Sequence, residues 1–332
     1  MKKITIIAEA GVNHNGDLNL AKKLVQEAAY AGADYVKFQS FDTEDIVTKD
    51  AKQASYQEKN TKTKQSQYDM LKKLELDKKA HIELIKECEK CGINFLSTAF
   101  DLKNIELLNE LGLEIFKIPS GEITNLPYLK AIAKLNKKVF MSTGMSNLAQ
   151  IQEALDILYK YGTKRKNITL LHCNTQYPTP FKDANLKAML TLKEAFKLDV
   201  GYSDHTQGIS VALGAAALGA LVIEKHFTLD KSMQGPDHKA SLEPCELRAM
   251  IKGIREIEMA LGDGIKRINK SEKENAKIAR KSLVALKDIK KGEILSEENL
   301  GTKRPANGIS AIRYDEYIGK KALKNYKKDE FI

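Results

Sequence analysis

Lysines lie within short apolar stretches and histidines follow others, where together they could hold an anionic substrate beside a metal ion. Lys37 and Lys117 lie within apolar runs, and a lysine buried there must meet an anion or lose its charge. His205 and His226 each follow another such run. Two imidazoles, completed by water and substrate oxygens, suit manganese, zinc or cobalt. These residue types predict a phosphate or carboxylate site next to a divalent metal.

Hydroxyl and carboxyl side chains also lie within or next to the short apolar stretches. The hydroxyls suited to a phosphate are Thr98, Ser120, Ser142 and Ser203. The carboxylates that could bind sugar hydroxyls or transfer protons are Glu9, Glu122 and Glu224. A Gly-Pro turn precedes Asp237 and could aim this carboxylate over the same site. For any one of these residues, packing or solvent exposure is the competing interpretation, and only the ensemble favours a site.

These side chains fall at the ends of predicted strands that alternate with amphipathic segments, a pattern typical of βαβ units. The eight predicted strands are 4–10, 35–39, 95–99, 115–120, 139–143, 168–173, 200–204 and 221–227. The predicted helices are 18–31, 78–91, 104–111, 126–135, 148–161 and 186–196. Eight repeats predict an α/β fold of the (β/α)8 TIM-barrel type, with the active site at the C-terminal strand ends.

A doubly wound open sheet is the rival fold, but its nucleotide sites need a glycine-rich turn that is missing after the first predicted strand. We therefore expect a barrel over 1–262, a linker over 263–280 and a small second domain over 281–332. The polar stretch 42–76 is longer than an ordinary loop, and we expect it to cover the barrel mouth.

Composition excludes several protein classes. The chain has 332 residues, of which 42% are hydrophobic and 30% charged, as in a globular protein. The most apolar stretch, 211–223, is too short to span a bilayer. No signal-peptide core follows the basic start, so we expect a cytoplasmic protein without a membrane partner. The net charge of +10 is concentrated in 263–332, which carries no recognisable nucleic-acid-binding motif. We interpret it as solvated surface or a field that steers anions, and expect no nucleic-acid partner.

Cysteine usage points to a reducing environment. Four cysteines cannot form a disulfide framework in so long a chain. Cys88 and Cys91 form an isolated Cys-x-x-Cys at the end of a predicted helix, with no second pair at zinc spacing. We interpret the pair as structural.

Ordered motifs along nearly the whole chain resemble the bacterial sialic acid synthase family, the phosphoenolpyruvate-dependent synthases of nine-carbon nonulosonic acids. The motifs are AEAGVNHNG at 8–16, VKFQ at 36–39, FKIPSGE at 116–122, STGM at 142–145, GYSDHT at 201–206, EKHF at 224–227 and GPDH at 235–238. The stretch Lys303-Arg304-Pro305, followed by Asn307-Gly308-Ile309, resembles the antifreeze-like (SAF) domain of that family.

The resemblance implies a role for each matching residue. It implies that His205 and His226 bind a divalent metal, with manganese first and magnesium or cobalt as alternatives. The implied phosphoenolpyruvate ligands are Thr98, Lys117, Ser120, Ser142 and Ser203. The implied sugar ligands are Glu9, Lys37, Gln39, Tyr177, Asp237 and Arg304. The implied catalytic residues are Glu122, Glu9 and Lys117. The family presents the arginine at the position of Arg304 across a domain-swapped homodimer, which is the implied assembly.

The sugar is open between alternatives. Phe38 and Thr175 stand where sialic acid synthases usually carry His and Asn. This exchange favours a less hydroxylated substrate, the 2,4-diacetamido-2,4,6-trideoxymannose of legionaminic acid synthases, although one substitution could instead face a helix. N-acetylmannosamine is the alternative, followed by the pseudaminic acid precursor. A metal-dependent aldolase on the same barrel would use the same histidines without needing the phosphate ligands.

Overall fold

The chain folds into two compact units, Met1–Gly262 and Asp263–Ile332. The structure is a computed structural model that describes residues 3–53, 57–58 and 65–332. Among these residues no helix is long and apolar enough to cross a membrane.

The first unit is a barrel of eight parallel strands, which confirms the predicted fold. The strands are β1 Thr5–Gly11, β2 Tyr35–Ser40, β3 Asn94–Ala99, β4 Ile115–Ile118, β5 Lys138–Ser142, β6 Ile168–His172, β7 Asp199–Asp204 and β8 Val222–His226. Their hydrogen-bonded order is β3-β2-β1-β8-β7-β6-β5-β4, and β3 lies against β4 without a ladder. Both faces of the sheet are covered, which explains why the strands are nearly continuous apolar runs.

Helices follow the strands in regular alternation. They are α1 Leu18–Ala31, α2 Thr43–Ile46, α3 Gln67–Lys72, α4 Lys78–Cys91, α5 Leu102–Glu110, α6 Leu126–Leu135, α7 Leu148–Tyr161, α8 Lys187–Phe196, α9 Ser210–Ala217 and α10 Pro244–Leu261. Four of the predicted helices match residue for residue, because their ends carry local signals. Asp17, for example, caps α1 by accepting hydrogen bonds from two backbone amides, and Gly32 ends the helix with a φ of 88°.

The stretch predicted to cover the barrel mouth contains α2 and α3. Around them Val12, Phe41 and Leu74 form a small buried cluster separate from the main core. Ile46, Leu71 and Phe100 pack against this cluster and are partly buried. Residues 54–56 and 59–64 of the stretch lie outside the described residues.

The second unit contains α11 Lys273–Ala279, β9 Ser282–Ala285, β10 Leu300–Lys303 and α12 Tyr314–Tyr317. Strands β9 and β10 pair in antiparallel register, and Leu283, Ile289 and Leu300 belong to its small core. The stretch predicted as a linker includes α11, and the amide of Ala306 donates to the carbonyl of Lys277.

The Cys-x-x-Cys pair ends α4 as two free thiols. Burial raises the pKa of the Cys88 thiol to about 12 and also raises the pKa of Cys91. Redox and zinc chemistry need the opposite shift, because the thiolate is the reactive form. The geometry supports the structural interpretation of this pair.

A fully buried ion pair joins β7 to β8 on the outer face of the barrel. Lys225 Nζ donates to Asp204 Oδ2 at 2.8 Å, and neither side chain has any solvent exposure. The other carboxylate oxygen, Oδ1, accepts hydrogen bonds from the amide and the hydroxyl of Thr206. The pair therefore fixes the two strand ends from which His205 and His226 project.

Removing one partner of this pair leaves a buried charge unpaired, which costs about 3–5 kcal/mol. We therefore expect Lys225→Ala to lower the free energy of unfolding by that amount in urea titrations. The matched control is Lys252→Ala, because the Lys252 side chain is 77% exposed and lies 3.8 Å from Glu256. The control should change stability by less than about 0.5 kcal/mol. Equal effects of the two substitutions would contradict the structural importance of the pair.

Candidate active site

A cavity of about 570 Å³ opens at the C-terminal ends of the barrel strands. The predicted site residues that line it are Glu9, Lys37, Gln39, Thr98, Lys117, Ser120, Glu122, Ser142, Tyr177, Ser203, His205, His226 and Asp237. Arg304 belongs to the second unit, where its Nε donates to the carbonyl of Ala279 at 2.9 Å. Side chains that are far apart in the sequence thus meet in one cavity, as the barrel geometry requires.

Glu224 lies at the centre of a group of buried polar side chains that line the cavity, which we call the polar floor. The other members are Glu9, Lys37, Thr98, Lys117, Ser203, His205 and His226. Its Oε1 accepts hydrogen bonds from Lys117 Nζ at 2.9 Å and from Ser203 Oγ at 2.8 Å, and its Oε2 lies 3.8 Å from Lys37 Nζ. Burial alone would raise the pKa of Glu224, but the charges of Lys117 and Lys37 outweigh it and hold this pKa well below its usual range. The carboxylate is therefore ionised and shared between two buried lysines.

The sequence identifies Glu224 only as a candidate carboxylate, outside the predicted ligand sets. Strand register explains its central position, because Glu224 lies opposite Ser203 in the β7–β8 pair. Its signal in the sequence is the alternation of Glu224 and His226 along one face of β8.

Lys37 joins this floor to a second carboxylate. Its Nζ lies 2.7 Å from Glu9 Oε2 and donates to Thr98 Oγ1 at 2.7 Å, while Gln39 Nε2 donates to Glu9 Oε1 at 3.1 Å. Burial would lower the pKa of Lys37, but Glu224 and Glu9 outweigh it and raise this pKa, so the lysine stays charged. Burial and repulsion from Glu224 raise the pKa of Glu9, against the charge of Lys37.

The two histidines predicted to bind metal converge on one spot. Their ring centroids lie 5.3 Å apart, and the ring of Tyr177 packs on His205 at 4.2 Å and on His226 at 5.5 Å. His205 Nδ1 hydrogen-bonds to the carbonyl of Asn174, which leaves Nε2 facing Ser203 Oγ at 3.4 Å. His226 Nδ1 is buried without a hydrogen-bond partner, and Asp237 Oδ2 lies 3.8 Å away.

Burial keeps both imidazoles in the neutral form that coordinates metals. It lowers the pKa of His205 to about 4 and the pKa of His226 well below its usual value. Within the described ranges no group of three or more His, Cys, Asp or Glu side chains could hold a metal by itself. The orphaned His226 nitrogen and the two neutral rings fit a divalent ion that takes its remaining ligands from water and substrate.

Ser120 and Glu122 line the cavity at partly exposed positions. Ser120 Oγ accepts a hydrogen bond from the amide of Gly144 at 3.1 Å, and a Cβ at Gly144 would lie only 2.7 Å from that oxygen. Glu122 is half-buried, and Asn125 Nδ2 donates to its carboxylate at 2.6 Å. Burial raises the pKa of Glu122, which brings this carboxyl closer to the range useful for proton transfer near neutral pH.

Of the two residues expected to select the sugar, Thr175 lines the cavity and Phe38 does not. Phe38 is fully buried on the opposite face of β2 and stacks on Phe95, with ring centroids 5.9 Å apart. A direct role for Phe38 in sugar selection is therefore wrong, because its side chain packs into the core between strands and helices.

Comparison with known proteins agrees with this geometry. Residues 24–266 match the NeuB family and residues 280–332 match the SAF domain. An N,N'-diacetyllegionaminic acid synthase of Campylobacter jejuni is 68% identical over 100% of this chain and 99% of that protein. A protein of the same name from Legionella pneumophila is 45% identical over 96% of this chain and 90% of that protein.

Among solved structures, an N-acetylneuraminic acid (sialic acid) synthetase from Leptospira borgpetersenii, in complex with citrate, has 38% identity and a TM-score of 0.72. The match covers 82% of this chain and 90% of that one. These comparisons confirm the resemblance that the motifs indicated. The barrel with its polar floor and the match over residues 24–266 show that the chain belongs to the NeuB family.

Proposed function

We propose that the protein condenses phosphoenolpyruvate with 2,4-diacetamido-2,4,6-trideoxymannose to give N,N'-diacetyllegionaminic acid and phosphate. The observation that carries this proposal is the polar floor, in which two charged lysines and several hydroxyls stand beside two neutral imidazoles. The 68% identity to an N,N'-diacetyllegionaminic acid synthase supports the choice of sugar. The free cysteines suit a cytoplasmic location.

The floor is suited to an anion that carries both phosphate and carboxylate. Without substrate, the charges of Lys37 and Lys117 are balanced by Glu9 and Glu224. Phosphoenolpyruvate supplies an alternative anionic partner for Lys117, and the polar groups of the sugar supply new partners for Lys37. Uncharged donors complete the phosphate site in our proposal, and they are Thr98, Ser120, Ser142 and Ser203. Fixed donors of this kind stabilise charge that develops in the transition state without reorganising.

The reaction forms a bond between carbon 3 of phosphoenolpyruvate and the sugar aldehyde, adds water at carbon 2 and releases phosphate with cleavage of its carbon–oxygen bond. A divalent metal on His205 and His226, manganese in our proposal, would supply Lewis-acid polarisation of the aldehyde. Glu9 and Asp237 would accept hydrogen bonds from the sugar, helped by Lys37, Gln39 and Tyr177. Glu122 would act as the acid/base residue and accept the proton that the added water loses.

The direct test is mass spectrometry of the product, with phosphate release measured in parallel. Purified protein and Mn²⁺ are incubated with phosphoenolpyruvate and with either the diacetamido sugar or N-acetylmannosamine. We expect the diacetamido sugar to be used with the higher kcat/KM. A higher kcat/KM for N-acetylmannosamine would make the protein a sialic acid synthase. Condensation of the sugar in a parallel incubation with pyruvate in place of phosphoenolpyruvate would favour an aldolase.

Lys117→Ala removes one of the two buried cations and leaves Glu224 without its 2.9 Å partner. We expect phosphate release to fall about 10²- to 10³-fold, as when a fixed transition-state donor is lost. Lys103→Ala is the matched control, because the Lys103 side chain is 72% exposed and does not line the cavity. Phosphate release unchanged by Lys117→Ala in a folded protein would contradict the assigned role.

His226→Ala tests the metal site by binding rather than by turnover. Manganese affinity, measured by electron paramagnetic resonance of the free ion, should fall by more than about tenfold because one of two imidazoles is lost. His172→Gln is the control, since His172 lies outside this cavity and bonds the carbonyl of Ala184. Equal manganese affinity of His226→Ala and the unsubstituted protein would place the metal elsewhere.

The domain-swapped homodimer is part of the proposal, with Arg304 completing the sugar site of the other subunit. Lys117→Ala and Arg304→Ala proteins, each impaired alone, are mixed under conditions that exchange subunits. Across a swapped dimer, about a quarter of the sites regain both residues, because each mixed dimer contains one intact pair. An arginine that served its own chain would restore none, so absence of recovery after verified exchange would contradict the swapped arrangement.

A further inference from the structure

We propose that one apolar wall of the cavity selects the sugar by receiving the methyl group at its carbon 6. The wall consists of Val12, Phe41, Ile46, Leu71, Leu74 and Phe100. This inference rests on the proposed function and deepens it, because it names the part of the substrate that the wall recognises.

The six residues form one continuous surface. Val12, Phe41 and Leu74 are buried in a cluster of their own, and the three others pack against it while remaining partly exposed to the cavity. The Phe41 and Phe100 rings meet edge to face with centroids 6.3 Å apart. A cluster of this kind holds its shape without a ligand, so it can serve as a preformed apolar pocket.

The wall and the polar floor come from different elements. The lysine and glutamate side chains and His226 project from the strands, and His205 directly follows β7. The wall comes from α2, from α3 and the turn after it, and from the turns that follow β1, β2 and β3. Carbon 1 of the sugar reacts and must lie at the floor beside the imidazoles. Carbon 6 is the other end of the same carbon chain, and the proposal places it against the wall.

Carbon 6 of the sugar is either a methyl group or a hydroxymethyl group, and contact with the wall then decides which sugar is favoured. A methyl group gains by leaving water for an apolar surface. A hydroxyl placed on the wall loses its bonds to water, and none of the six side chains can replace them. Gln57 and Gln67 of the same stretch also line the cavity, so a hydroxyl that reached them would not be penalised.

The experiment compares two sugars that differ only at carbon 6, the trideoxy sugar and its 6-hydroxy analogue 2,4-diacetamido-2,4-dideoxymannose. We expect the unsubstituted protein to prefer the 6-deoxy sugar by about 10- to 100-fold in kcat/KM. Leu71→Gln and Ile46→Thr each place a polar group on the wall at a partly exposed position. Each should lower that preference by at least about fivefold while the KM for phosphoenolpyruvate stays unchanged.

Leu190→Gln on α8 is the matched control, because Leu190 is 38% exposed and does not line the cavity. It should leave the preference unaltered. Equal use of the two sugars by the unsubstituted protein, or a preference that both wall variants retain, would overturn the inference and leave the proposed function standing. Failure of the unsubstituted protein to use either sugar would overturn the proposed function and this inference together.

Discussion

A carboxylate shared by two buried lysines is the interaction on which the rest of the site depends. Lys117, Lys37 and Glu224 lie inside the barrel, where an unpaired charge would be strongly destabilising. Their mutual pairing, extended through Glu9, lets the chain keep two cations in place before any substrate binds. In the proposed function, an anionic substrate would exchange partners with groups that are already oriented, which is the physical basis of preorganised catalysis.

The strands hold these charges in register. Glu9 lies opposite Lys37 in one strand pair and opposite His226 in the other, so a single residue links the lysine side of the floor to the histidine side. Behind the floor, the buried pair of Lys225 and Asp204 ties β7 to β8. The apolar wall lies outside these strand pairs, on α2, α3 and the turns next to them.

Local signals made most of the fold predictable, whereas parts of the site depend on contacts between distant residues. The cap at Asp17 and the alternation of apolar runs predict α1 and the eight-stranded barrel from neighbouring residues alone. Alternation along β2 also places Phe38 opposite to Lys37 and Gln39, so its packing against Phe95 could have been predicted. The central position of Glu224 could not, because it requires the register between β7 and β8. The apolar wall likewise joins side chains from two short helices and several turns that are separated in the sequence.

In the proposed function, the floor holds phosphoenolpyruvate while the carbon–oxygen bond of its enol phosphate breaks. Phosphoenolpyruvate labelled with ¹⁸O at the bridging oxygen tests which bond breaks, with mass analysis of the released phosphate. We expect the label to leave with the phosphate, because water supplies the oxygen at carbon 2. Unlabelled phosphate, with the ¹⁸O retained in the sugar product, would show that the phosphorus–oxygen bond breaks and would contradict this reaction.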